Sequence, residues 1–235
     1  MIRNGFGLQI VVDGGPLGEI VHGGNTYVSA PWNRDYAIRL LVPRGRYLAI
    51  CSVDGLDILT GKRASTATGS GYVLTPASHT TANDIPGFRL NDTEVARFHF
   101  GDRRDSYAAR LDKPENVGVI SVVFFAERTR NLGVLRSVRS GEGDTFRGAT
   151  RGGGMMGGAT KGGGHDMGTE FGQLFDHRVD RVGFDRGEEV ARFSIEYASE
   201  KSLTAAGIKT DSPLGRVDPF PCDTAGCTPP QGWRG

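Results

Sequence analysis

Apolar side chains in this chain recur at every second residue, a rhythm that places alternate positions on the two faces of a β-strand. In DYAIRLLV, Tyr36, Ile38, Leu40 and Val42 share one face; in EVARFHF, Ala96, Phe98 and Phe100 point one way and Arg97 and His99 the other. EEVARFSIEYAS repeats the rhythm with Ala191, Phe193, Ile195 and Tyr197, and RGRYLAICSV with Tyr47, Ala49, Cys51 and Val53. GVISVVFFAE is apolar on both faces, as a central strand covered by two layers must be. GYVL, FGLQIVV, GEIVH and NTYVS are shorter strand candidates. The segment Pro43-Arg44-Gly45 between DYAIRLLV and RGRYLAICSV predicts an antiparallel hairpin. EVARF occurs twice, from Glu94 and from Glu189, but its flanks differ, so two amphipathic strands explain it better than a duplication.

Helix is scarce. RRDSYAARL predicts one or two turns capped by Asp105 or Ser106, and ASEKSLTAAG a short helix capped by Ser199 and stopped at Gly207. The 36 glycines point to turns and loops, because glycine costs backbone entropy inside regular elements. Short strands with turn signals at close intervals predict an all-β fold, an antiparallel β-sandwich of jelly-roll type with one or two short helices. Residues 1–25 are read as N-terminal strands or an arm and 26–147 as the sandwich body. A Gly-rich loop follows over 148–168, a returning strand and helix of the same domain over 169–210, and a Pro-rich arm over 211–235.

Four segments carry a resemblance: SVDGLDILTG (52–61), SGYVL (70–74), DSYAAR (105–110) and PENVGVI (114–120), with a fainter one in EYASEKSLTAAGI (196–208). They resemble an uncharacterised family of bacterial proteins, over roughly half the chain. One departure is IPGFR, where the resemblance implies tryptophan at Phe88. It implies a fold and brings no activity, cofactor or catalytic residue.

The charge balance, 28 Lys+Arg against 27 Asp+Glu, gives no electrostatic argument for nucleic acid or for an anionic membrane. The N-terminal MIRNGFGLQIVVDGG lacks a long apolar run behind a basic start, which predicts synthesis in the cytoplasm without a signal peptide. The longest apolar run, 117–126, falls short of the ~20 residues a bilayer-spanning helix needs, so no membrane insertion is expected. Cys51 reads as a core residue; Cys222 and Cys227 could close a small loop, bond to a neighbouring chain or stay reduced.

Chemistry is hard to find. GLDILTGKR has one residue too many for a phosphate loop, and GGATKGGG has Thr and Lys in the wrong order. Asp54-Gly55 with Asp57 invites a metal reading, yet Asp-Gly after a strand is ordinary turn chemistry. His22, His79, His99, His165 and His177 stand apart from any nucleophile signature. No catalytic residue, cofactor or metal is assigned, and the chain is expected not to be an enzyme.

Two functions are weighed. The first is a structural or assembly protein that coats or cements a larger particle, such as a phage capsid (a virion component) or a bacterial surface assembly. Its partners would be other protein subunits, in a homo-oligomer or a host particle. Met155 and Met156 in RGGGMMGGATKGGG, and Phe220 and Trp233 in the Pro-rich arm, are its candidate contacts. The alternative is a carbohydrate- or peptide-binding module, with a groove at Trp32, Tyr107 and Arg110.

Overall fold

The computed structural model describes residues 1–67, 70–75, 83–111, 116–128 and 165–209. In chain order the first strands are β1 (Ile2–Arg3), β2 (Phe6–Val12), β3 (Gly15–Pro16), β4 (Glu19–His22) and β5 (Asn25–Ser29). Then come β6 (Arg34–Leu41), β7 (Tyr47–Val53), β8 (Leu56–Asp57), β9 (Tyr72–Leu74), β10 (Asp84–Ile85), β11 (Gly87–Arg89) and β12 (Glu94–Asp102). After helix α1 (Tyr107–Arg110) follow β13 (Val119–Glu127), β14 (Met167–Asp176), β15 (Arg186–Ala198) and helix α2 (Glu200–Ala205). The fold is all-β with two short helices.

The strands form two sheets. The first runs β1-β2-β6-β12-β11, with β3 also on β2, β10 on β6 and β14 on β12. The second runs β4-β5-β15-β13-β7-β8, with β9 on β7. One core lies between them: Leu8, Ile10, Ile38, Leu40, Phe98 and Phe100 from the first sheet meet Cys51, Val53, Ile120, Val122, Ile195 and Tyr197 from the second. Burying apolar faces of two sheets against each other is what makes period-two strands stable in water. The predicted inward faces of β6, β7, β12 and β15 are the observed ones.

β13 is buried on both sides, as GVISVVFFAE implied. Ile120, Val122 and Phe124 enter the main core, while Val123 and Phe125 join Leu48 and Ile50 under Val73 and Phe184. Both helices start at the expected caps: the Ser106 and Ser199 hydroxyls accept from Ala109 N and Ser202 N. Residues 1–25 hold strands β1 to β4, and β2 puts Phe6, Leu8 and Ile10 into the core.

Two expectations are corrected. DYAIRLLV and RGRYLAICSV are not a hairpin: β6 pairs with β2, β10 and β12, and β7 with β8, β9 and β13. The chain instead crosses over the core between the sheets, helped by Gly45 at φ 132°. Both connections keep the same in–out rhythm, so the pattern could not separate them. Nor is the pairing wholly antiparallel: β15 lies parallel to β5 through Glu196↔Tyr27, Tyr197↔Val28 and Ala198↔Ser29.

Candidate functional site

Asp54 and Gly55 form the tight turn joining β7 to β8, with φ of 53° and 79°, the left-handed backbone that Asp-Gly adopts readily. The turn aims the Asp54 carboxylate inward, where it is 2% exposed. Its Oδ1 accepts from Gly118 N at 2.9 Å and from the Tyr197 hydroxyl at 2.7 Å; Oδ2 accepts from Thr169 N at 2.8 Å. Hydroxyl contacts continue from Tyr197 to Thr169 Oγ1 and on to Tyr36, each 2.7 Å. This buried chain fastens β14 and β6 of the first sheet to β7 and β15 of the second. Burial pushes the Asp54 carboxyl up to about 6, and the hydrogen bonds from Tyr197, Thr169, Gly118 and Val119 restrain the rise. Burial likewise lifts the Tyr36 and Tyr197 phenols well above their usual range.

The same carboxylate decides which part of β14 is left open. β14 pairs with β12 on one side, and among the described residues no strand pairs with it on the other. At its start Asp54 takes the Thr169 N–H, and α1 packs close, with Tyr107 4.2 Å from Phe171 between ring centroids. A bulge opposite Arg97 then shifts the register between Phe98↔Phe171 and Ala96↔Leu174. Phe171 before it and Leu174 and Phe175 beyond it are exposed, Leu174 to 68%. Phe171 stacks on Phe88 at 5.0 Å, and the Arg97 guanidinium lies 4.0 Å over Phe175.

Other sheet edges carry short pieces or charge: β15 meets β5 only from Glu196 to Ala198, and its edge before that holds Glu188, Glu189 and Arg192. β1 and β3, two residues each, flank β2, and β3 ends in Pro16, which has no N–H to offer. In the second sheet, four-residue β4 forms one border and two-residue β8 and three-residue β9 the other. Short strands, proline and charge are the usual protection against edge-to-edge pairing. Phe-Gly-Gln-Leu-Phe, the stretch from Phe171 to Phe175, has neither charge nor proline.

The three candidate groove residues sit as follows. Tyr107 packs its ring against Phe88 and Phe171, and Arg110 ends α1. Trp32, after β5, is 62% exposed. Met155, Met156, Phe220 and Trp233 lie outside the described residues, as do His79, Cys222, Cys227 and nearly all of the Gly-rich loop. Cys51 is buried, and that burial raises its thiol pKa.

Asp57 spends Oδ1 on Leu59 N, Thr60 N and the Thr60 hydroxyl, the pattern of a structural turn. Among the described residues no group of three or more His, Cys, Asp or Glu is placed to hold a metal. The histidines occur in separate polar contacts. His99 Nδ1 is 2.8 Å from Asp35 Oδ1 and Nε2 3.1 Å from Asn33 Oδ1. His165 Nδ1 meets the Tyr197 carbonyl at 3.1 Å and Nε2 the Glu196 carboxylate at 3.3 Å, and the Glu196 contact leads in raising its pKa. His177 packs against Arg89 with Nδ1 2.6 Å from the guanidinium, and burial, then Arg89, lowers its pKa.

Among the described residues no helix is long and apolar enough to cross a membrane. No family model, curated protein or solved structure matches the chain.

Proposed function

We propose that this chain is a non-enzymatic structural subunit, a β-sandwich that coats or cements a larger particle such as a capsid or a surface assembly. The observation that supports this is the open half of β14: a ten-residue edge strand whose Phe171, Leu174 and Phe175 meet solvent and whose stretch from Phe171 to Phe175 carries neither charge nor proline. An unprotected apolar edge invites pairing, and a chain that keeps one needs a partner to cover it. The finer reading of the fold, a jelly-roll sandwich, draws support from the way long strands β5, β6, β7, β12, β13, β14 and β15 alternate between the sheets. The parallel β5–β15 pair is where it departs from an all-antiparallel roll. The test is sedimentation of native, gently cross-linked extract. The protein is expected in a complex much larger than its own chain; recovery as a free chain would refute the assembly role.

The binding-module alternative rests on a different place from the one expected. A groove of about 490 Å³ on the outer face of the second sheet is lined by Ser52, Ser121, Asn116, Arg63 and Arg192, among others. Its hydroxyl, amide and guanidinium groups suit a polar, oxygen-rich ligand. Chemical-shift changes confined to Ser52 and Ser121 on titrating oligosaccharides or peptides would favour it; none would leave the assembly reading alone.

A further inference from the structure

We propose that the open half of β14 pairs with the same strand of a second copy of this chain, antiparallel about a two-fold axis, so that the first sheet continues across a dimer. The inference rests on the reading of this edge as a contact surface and names its occupant.

Three observations carry it. The far side of β14 has no strand partner among the described residues, and its apolar stretch from Phe171 to Phe175 contains no charge that would repel another strand. Main-chain donors and acceptors on such an edge pair with any extended segment, so side chains must choose the partner. Here they are self-complementary. Glu170, whose carboxyl rests over Gly101 of β12 and would swing to the open side on pairing, lies before the apolar stretch, and Arg178 follows just beyond β14; neither is in an ion pair among the described residues. Antiparallel pairing about Leu174 sets each Glu170 against the other copy's Arg178, whereas parallel pairing aligns like with like. The same two-fold brings the two exposed Leu174 side chains together at the axis. Two-fold, isologous contacts of this kind are the commonest way identical chains associate. The register also explains where pairing stops: the next main-chain N–H towards the strand's start, that of Thr169, is taken by Asp54.

The experiment is sedimentation equilibrium of the full purified chain over a wide concentration range, read beside thermal unfolding. The wild type is expected to approach twice the 25.2 kDa chain mass as concentration rises. Leu174→Lys, a change at an exposed site, should leave the melt in place and hold the protein at monomer mass. Val21→Lys, on the edge strand β4 of the other sheet, should dimerise like wild type. Glu170→Lys and Arg178→Glu should each weaken dimerisation ~5-fold or more, and the double swap should restore it to within ~2-fold. A wild type that stays monomeric, a Leu174→Lys protein that dimerises normally, or a double swap no better than either single change overturns the proposal. Failure here is separable from failure of the assembly role: a monomer when pure that still sediments with a large complex in extract loses the second copy and keeps the particle.

Discussion

Replacing Asp54 by Asn keeps the shape of the side chain and removes its charge, so it isolates the ionisation of the buried staple. The Asp54 pKa of about 6 lies roughly two units above the ~3.9 of an exposed aspartate. Since the folded value is the higher one, the folded state holds the extra proton. The stability linked to it is full below about pH 4 and lost as pH rises through about 6. Two units at ~1.4 kcal/mol each set that loss at ~3 kcal/mol by neutral pH. In the variant, the amide oxygen still accepts from Gly118 N and Tyr197, but its NH2 faces Thr169 N, leaving a buried donor unpaired. That mismatch costs ~1–3 kcal/mol at any pH. Urea unfolding followed by far-UV circular dichroism is therefore expected to find wild type ahead by ~1–3 kcal/mol near pH 4, the gap closing or reversing by about pH 8. His165, whose raised pKa also withdraws stability as pH rises, acts in both proteins and cancels in the difference. A gap constant across that range would refute the reasoning, because Asp54 would then ionise in the folded state no later than in the unfolded one.

Phe98→Ala and Phe193→Ala should each cost ~3–5 kcal/mol, the range for losing a buried ring, with Arg97→Ala and Arg192→Ala costing ~1 kcal/mol or less; chemical denaturation would show the register wrong if these sensitivities were reversed. Gly87→Ala should abolish cooperative unfolding or shift it severely, since a Cβ there would sit 2.0 Å from the Ala96 carbonyl oxygen, and a near-normal melt would count against the close β11–β12 approach. Ser199→Ala removes the hydroxyl that caps α2, an expected loss of ~0.5–2 kcal/mol in the same denaturation assay, and no change would mean the cap carries no weight.

The in–out rhythm was legible in β6, β12, β13 and β15 because each of these strands buries a run of alternate residues, and burial is what selects the period of two. Which sheet a strand joins was not legible, as the β6–β7 crossing shows: an arch and a hairpin present the same alternation to the core. β14 went unread because its register shift and the glycines at Gly168 and Gly172 break the alternation, and half the strand faces solvent. Gly172 tolerates no side chain, since a Cβ would lie 2.9 Å from the Arg97 carbonyl oxygen. The Asp54 turn could be read from Asp-Gly, but its carboxylate's partners could not. Gly118, Thr169 and Tyr197 stand 64, 115 and 143 residues further along the chain, and no local pattern links them.

The most direct test of the central claim, that the chain associates through the open edge of β14, is amide hydrogen exchange compared between dilute monomer and the associated state isolated by size. Amides from Phe171 to Asp176 that do not bond to β12 are expected to exchange fast in the monomer and to slow on association, while those of β6 and β13 stay equally protected in both. An associated state in which the β14 edge still exchanges at the monomer's rate, with protection gained elsewhere, would contradict the account.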